Sequence, residues 1–142
     1  MRIETSYTPT YDTLAEFLKV ARYSTDPASA EYLNKILHTA HFVAILDEKD
    51  QLIGLSIIYL NNPDQGYAYL TSIAIHPDAR GHGYGTALLK TTIATAGTYG
   101  FTRLRLEVDK SNITAKSLYN SLQFQPIGET TNSLYLERDI IH

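Results

Sequence analysis

Two runs of residues in this chain have types and spacings suited to chemistry. The first is Arg80-Gly81-His82-Gly83-Tyr84-Gly85-Thr86. Glycine at every second position strips the backbone of Cβ atoms, so successive N–H groups can converge on one anion. Leu88, Leu89, Ile93 and Ala96 then recur at helical spacing. The loop therefore opens a helix and adds the positive end of that helix's dipole to its own donors. This is the pattern of a phosphate-binding turn. A dinucleotide fingerprint needs G-x-G-x-x-G and a P-loop needs Gly-Lys-Ser/Thr, and neither is present.

The second run is Leu104-Arg105-Leu106-Glu107-Val108, followed by Asn112-x-x-Ala115-Lys116-x-x-Tyr119-x-x-x-x-Phe124. The first five residues alternate, with Leu104, Leu106 and Val108 on one face and Arg105 and Glu107 on the other. A carboxylate in an otherwise buried strand is costly unless it has a partner or a task. On the helix that follows, Asn112, Ala115 or Lys116, and Tyr119 fall on one stripe. Plainer readings stand beside these: a tight glycine turn, Glu107 as an ion-pair partner of Arg105 or Lys110, and Tyr119 as a packed ring.

These residues need elements to hold them. Tyr67 to Ile75 is β-branched, aromatic or small with neither face strongly polar, which suits an inner strand, and His76-Pro77 ends it. Upstream, Arg2 to Tyr7 is a short strand. Thr13-x-x-Glu16 reads as a capping box for a helix with Leu14, Phe17, Leu18 and Ala21 on its apolar face. Asp26-Pro27 reads as the start of a second helix running to about Thr39. Strands follow over His41–Leu46 and Gln51–Leu60, joined to Tyr67 by the loop Asn61 to Gly66. The helix after the glycine loop ends near Gly97 or Gly100. Then come a strand Phe101–Val108, a helix Ser111–Leu122, and strands Phe124–Gly128 and Asn132–Asp139. The order β-α-α-β-β-β-α-β-α-β-β predicts an α/β fold, mostly antiparallel, with one central parallel crossing.

The length of 142 residues fits a single domain over residues 1–142. A net charge of −3 gives no support for nucleic-acid binding or a polybasic membrane surface. Without cysteine there is no disulfide, no thiolate metal site and no cysteinyl acyl intermediate. The histidines at 38, 41, 76, 82 and 142 lack ligand-like spacing, so no metal site is expected. The N-terminal stretch MRIETSYTPT has no long apolar run, so no signal peptide or membrane span is expected and the location is cytoplasmic by default.

Both motifs together resemble the GNAT N-acetyltransferases. Arg80-x-x-Gly83-x-Gly85 is similar to that family's pyrophosphate loop, and Leu106-Glu107-Val108, Asn112, Ala115, Tyr119 and Phe124 resemble the ribosomal-protein N-acetyltransferases. The element order resembles the GNAT fold over essentially the whole chain. The resemblance implies two central strands splayed around acetyl-CoA, the cosubstrate, with its phosphates on Gly81, His82, Gly83, Tyr84, Gly85 and Thr86 and with charge from Arg80. It implies Glu107 as general base, direct or through water, and Tyr119 as general acid. Asn112, with Lys116 beside it, would hold the pantetheine arm or the helix start. An amine titrating near ~10.4 must lose a proton before it attacks a thioester. The oxyanion then needs donors, expected from backbone N–H groups at a strand bulge near Ile73, Ala74 and Ile75. If Tyr119 is the acid, its titration should set an alkaline limit on the rate. The implied activity is N-acetylation of a primary amine by direct transfer in a ternary complex. O-acylation, a longer acyl chain and an idle acyl-CoA-binding module are the alternatives. The acceptor is a small amine or a protein N-terminus, and a homodimer is an arrangement common in the family. One departure is visible: Gln123 stands where the family usually has glycine, so the helix must end in a left-handed residue or by another route.

Overall fold

The computed structural model describes residues 1–21, 29–61 and 63–140. Among these, β1 (Arg2–Tyr7), β2 (His41–Leu46), β3 (Leu52–Tyr59), β4 (Tyr67–Ile75), β5 (Arg103–Asp109), β6 (Gln125–Glu129) and β7 (Ser133–Asp139) build one sheet. Its spatial order is β1-β2-β3-β4-β5-β7-β6. Every neighbouring pair is antiparallel except β4 and β5, which run parallel. A parallel pair needs a crossover, and α3 (Tyr84–Thr98) supplies it. The remaining helices are α1 (Tyr11–Ala21), α2 (Ala30–Thr39) and α4 (Ile113–Ser121), and short 3₁₀ turns cover Pro63–Gln65 and Pro77–Ala79. The α/β architecture and the element order are those read from the sequence.

The helices divide unequally between the two sheet faces. Leu89, Ile93 and Ala96 of α3 and Tyr119 of α4 pack on Leu70, Leu104, Leu106 and Val108, while Leu88 packs on Val43 and Ile45. On the opposite face α1 and α2 set Leu14, Phe17, Leu33 and Ile36 against Phe42, Ala44, Leu55 and Ile57. Strands β2 and β3 are thus covered on both sides, which is why their sequences are almost continuously apolar. The cluster under α1 and α2 takes no residue from β5, β6 or β7. That half of the face is left open, and Arg105, Glu107, Tyr135 and Glu137 lie on it by strand register.

Local details differ from expectation in instructive ways. The cap of α1 is Thr10, whose Oγ1 accepts from the Thr13 N–H at 3.1 Å, so the predicted Thr13 box sits one turn inside the helix. The Asp26-Pro27 helix start lies outside the described residues; the described helix begins at Ala30, where the Ser29 hydroxyl accepts from Tyr32 N at 3.1 Å. Helix α3 runs to Thr98, and Gly100 turns the chain with φ of 91°. Gln123 does adopt the left-handed conformation, φ 69°, ending α4 at the strain the missing glycine implied.

One polar pair ties α3 to the sheet. Ser56 on β3 and Thr92 on α3 are fully buried, with their hydroxyls 2.7 Å apart. The Thr92 hydroxyl donates to the Leu88 carbonyl at 2.8 Å, so Ser56 must be the donor between them. Thr92→Val should cost about 1–3 kcal/mol, because it strands the Ser56 hydroxyl. The double variant with Ser56→Ala should cost less than the sum of the singles, measured by urea unfolding. Additive costs would show that the hydroxyls do not act as a pair.

Candidate active site

The sheet is interrupted at its centre. Strand β4 pairs with β5 only from Tyr67↔Arg103 to Leu70↔Leu106. Beyond that point β4 continues against β3 alone, and Glu107 to Asp109 pair only with β7. The parting begins at a register shift: Ile57 faces Ser72 and Ile58 faces Leu70, so Thr71 has no partner on β3. The bulge is therefore at Thr71, two residues before the stretch Ile73 to Ile75 expected from sequence. Thr71 Oγ1 is buried without a hydrogen-bond partner among the described residues. Sequence reasoning missed this residue, since a single threonine in a β-rich run carries no sign of a bulge.

Past the bulge, backbone alternation decides which groups face the gap. His76 N donates to Ile53 O at 2.8 Å, so the backbones of Ala74 and His76 point to β3. Ile73 and Ile75 then point their N–H and C=O groups away from β3 and into the gap. Of the three residues singled out from sequence, Ile73 presents open backbone there, Ile75 its N–H while its carbonyl accepts from Arg80, and Ala74 pairs with Leu55.

The glycine loop lies at the open end of the gap. Gly81 and Gly83 have φ of 83° and 79°, and a Cβ on either would meet open space. They are needed for backbone conformation and not for room. Gly83 is the N-cap of α3 and offers no side-chain hydrogen bond. The other helices are served by Thr10, Ser29 and Asn112. The first bond of the α3 ladder is Ala87 N to Gly83 O, 3.2 Å, so the N–H groups of Tyr84, Gly85 and Thr86 have no intrahelical acceptor. A Cβ on Gly85 would lie 3.7 Å from Leu118 Cδ2 and 4.0 Å from Ile75 Cγ1, so the loop, the end of β4 and α4 meet at one place. His82 is exposed, with its ring 5.7 Å from that of Tyr84. Tyr84 packs partly against the Val43, Ile45 and Leu88 cluster.

Two basic residues have backbone carbonyl partners. Arg80 donates from Nε to Ile75 O at 3.0 Å and from Nη2 to Ala21 O at 2.7 Å. Its guanidinium pins the loop to β4 and α1, where the sequence reading aimed it at phosphate. Lys116 Nζ donates to the Lys110 carbonyl at 3.2 Å. Lys116 also lines a groove of about 380 Å³ with Ile113, Phe124 and Pro126, and no residue of the glycine loop lines it. Asn112 caps α4, accepting from Ala115 N at 3.1 Å, which is the helix-start role the resemblance offered.

Glu107 is exposed, so the buried-carboxylate penalty expected from its strand does not apply. It also lacks the alternative ion pairs: Arg105 pairs with Glu137 and Lys110 with Glu129. No hydrogen bond or ion pair holds the Glu107 carboxylate among the described residues. Tyr69 lies close by; its phenol is pushed up from the ordinary tyrosine value by burial first and then by the charge of Glu107. Tyr119 is on the other side of the sheet, 6 % exposed, its ring 5.5 Å from Phe124. Burial pushes its phenol up to about 12, so it stays protonated across ordinary pH. Its hydroxyl has no hydrogen-bond partner among the described residues, yet it is not sealed. Thr71 Oγ1 is the one buried side-chain polar atom left unpaired there. Among the described residues no cluster of His, Cys, Asp or Glu could hold a metal ion, and no helix is long and apolar enough to cross a membrane.

An α/β sheet parted beside an uncapped, glycine-entered helix is the architecture of an acyl-CoA-dependent transferase fold. The model of the acetyltransferase (GNAT) family matches residues 6–124, and the chain belongs to that family. A Bacillus subtilis relative named provisionally as a [ribosomal protein bS18]-alanine N-acetyltransferase is 36% identical over 94 residues, 66% of this chain and 59% of that protein. The L-2,4-diaminobutyric acid acetyltransferase of Vibrio cholerae is 24% identical over 112 residues, 77% of this chain and 64% of its own length. The chain thus spans less than two thirds of these curated relatives. The crystal structure of the Escherichia coli ribosomal-protein-S18-alanine N-acetyltransferase superposes with a TM-score of 0.83 at 22% identity, covering 99% of this chain and 94% of that one. That likeness establishes the GNAT fold.

Gly83→Asp tests the loop. Aspartate enters the left-handed region at a strain of about 1–2 kcal/mol and its Cβ meets open space, so the protein should fold. The new charge should weaken CoA binding by several kcal/mol in calorimetry. Gly83→Asn, similar in shape but neutral, should lose much less. Unchanged affinity in both would remove phosphate from this loop.

Proposed function

We propose that this chain is an acetyl-CoA-dependent N-acetyltransferase that moves the acetyl group directly to a primary amine in a ternary complex. The observation that carries the proposal is the meeting of three open N–H groups at the start of α3 with the backbone edge of β4 freed beyond Thr71. The first suits a pyrophosphate. The second suits an extended amide-bearing arm laid along Ile73 and Ile75 in the manner of an added strand. The unmet Thr71 hydroxyl supports a polar ligand at the head of the gap.

Glu107 and Tyr119 serve the two halves of the reaction from opposite sheet faces. The acceptor ammonium gives a proton to the Glu107 carboxylate, directly or through water, and Glu107 passes it to solvent; the freed amine nitrogen then attacks the thioester carbonyl carbon and sheds its second proton by the same route. The carbonyl π electrons move onto oxygen, where an open N–H of β4 donates to the oxyanion. The tetrahedral centre collapses, the C–S bond breaks, and the sulfur takes a proton from the Tyr119 hydroxyl. Solvent then reprotonates Tyr119, leaving an amide and free CoA thiol. The exposed position of Glu107 suits this task, since a base must meet both acceptor and water. A cytoplasmic setting, where acetyl-CoA and amines coexist, fits the same reading.

Thiol release from acetyl-CoA with a panel of amines tests the activity; no release above the solvent blank with any of them would leave an idle acyl-CoA-binding module. Glu107→Gln should lower kcat by about 10²–10⁴ with acetyl-CoA affinity nearly unchanged. Near wild-type turnover would hand its role to a water chain.

Tyr119→Phe keeps the ring packing, so stability should barely change. A free thiol titrates near ~8.5, so the thiolate leaves tolerably unaided and the loss should be moderate, about 10–10³ in kcat. The sign of the pH effect follows from burial. Because the folded value is raised to about 12, Tyr119 remains a donor as pH rises through the ordinary tyrosine range. The loss should therefore be a constant factor up to about pH 10, and not the removal of an alkaline limb in that range as an ordinary tyrosine would give. A mutant deficit that shrinks toward nothing between pH 8 and 10 would sink this assignment.

A further inference from the structure

The open half of the sheet has a composition that bears on the acceptor. Strand register fixes the neighbours on this face: Tyr59 opposite Tyr69, Tyr69 beside Arg105, Arg105 opposite Glu137, and Glu107 opposite Tyr135. Tyr69 and Tyr135 thus flank the Glu107 carboxylate from the two neighbouring strands. The cations of this sheet face among the described residues, Arg103 and Arg105, are both committed. Arg105 forms an ion pair with Glu137 and lies 3.9 Å above the Tyr67 ring, and Arg103 reaches the same carboxylate at 3.8 Å. Glu107 has no ion pair among the described residues and stands between Tyr69 and Tyr135 at the point where β5 parts from β4.

We propose that Tyr69, Tyr135 and Glu107 form the acceptor subsite, and that it selects ammonium groups with no carboxylate on the neighbouring carbon. This rests on the transferase reading and names its substrate class. Phenol faces attract a cation, and the unpaired carboxylate attracts it further and positions it for proton transfer. A carboxylate carried beside the amine would meet Glu107, and both arginines of this face among the described residues are already held by Glu137; like charges juxtaposed in an interface are strongly rejected. Amides, alkylamines and peptide amino termini satisfy this chemistry, and free α-amino acids do not.

Matched acceptors provide the test. Thiol release would be followed with propane-1,3-diamine as a small-amine reference and with four matched acceptors, alanine and alaninamide, 2-aminobutyrate and propylamine. Binding of the same four to CoA-saturated protein would be followed by calorimetry. The carboxylate-free member of each pair should be favoured at least roughly tenfold in kcat/KM and in Kd. Between sources, a larger kcat/KM for an alanyl peptide amide than for the diamine would mark a peptide terminus, and the reverse a small amine. Tyr135→Leu should raise the KM for alaninamide about 3- to 30-fold, the range of a desolvated cation–π contact, with the KM for acetyl-CoA unchanged. Glu137→Gln should free Arg105 and draw the alanine-to-alaninamide ratio toward one. Turnover of alanine equal to or better than alaninamide overturns the subsite and leaves the transferase reading standing. No turnover with any acceptor, while calorimetry keeps the preference, overturns the transferase reading and leaves the subsite standing.

Discussion

The separation of β4 from β5 beyond Leu70 and Leu106 is the constraint on which the rest of this molecule depends. A sheet interior normally pairs every backbone N–H and C=O, and unpaired ones away from water are costly. Here a one-residue bulge at Thr71 breaks the ladder in the middle of the sheet. Strand β3 on one side and β7 on the other still pair with the two diverging strands past the bulge. The gap therefore persists as a feature of the folded state. The freed backbone of Ile73 and the N–H of Ile75 line the opening, and the ends of α3 and α4 are placed around it. The contact between Gly85, Ile75 and Leu118 is where all three elements close on that opening.

The unequal covering of the two faces separates binding from access. On the α3 and α4 side the gap is roofed by packed helices, and Tyr119 is held there as a buried, firmly protonated phenol. On the other side α1 and α2 stop short of β5, and Glu107 meets solvent. A reaction that needs a charged acceptor on one side and a proton donor for a departing sulfur on the other is served by this asymmetry. The wet side leaves the Glu107 carboxylate open to solvent, and burial on the dry side keeps the Tyr119 phenol neutral.

Much of this was legible in sequence, for identifiable reasons. The glycine loop and the helix after it are written in local conformational demands, so Gly81, Gly83 and the uncapped start of α3 followed directly. Alternation placed Leu104 and Leu106 on the opposite face from Glu107. Alternation could not say what lies over that face, so Glu107 was read as buried when it is exposed. The bulge at Thr71 depends on pairing with a strand distant in sequence, and no local pattern signals it. Arg80 and Lys116 were read as ligands because their charge was visible and their carbonyl partners were not; Ala21, which accepts from Arg80, lies in a different helix. The cap at Thr10 was missed because Thr13-x-x-Glu16 satisfies the same pattern one turn later.

Arg80 shows how such a site can keep its charge pattern. A guanidinium aimed at the loop's ligand would lend attraction but leave the loop tethered by glycines alone. Bound instead to Ile75 O and Ala21 O, it fixes the loop against the last residues of β4 and α1. The Ala21 carbonyl is at the negative end of α1, where a cation is favoured by the helix dipole. On the proposed reading, anion attraction falls to the N–H groups of Tyr84, Gly85 and Thr86, which are fixed in direction by α3 and would pay no side-chain entropy on binding. Strained glycines supply the geometry, the arginine supplies the rigidity, and the helix supplies the field.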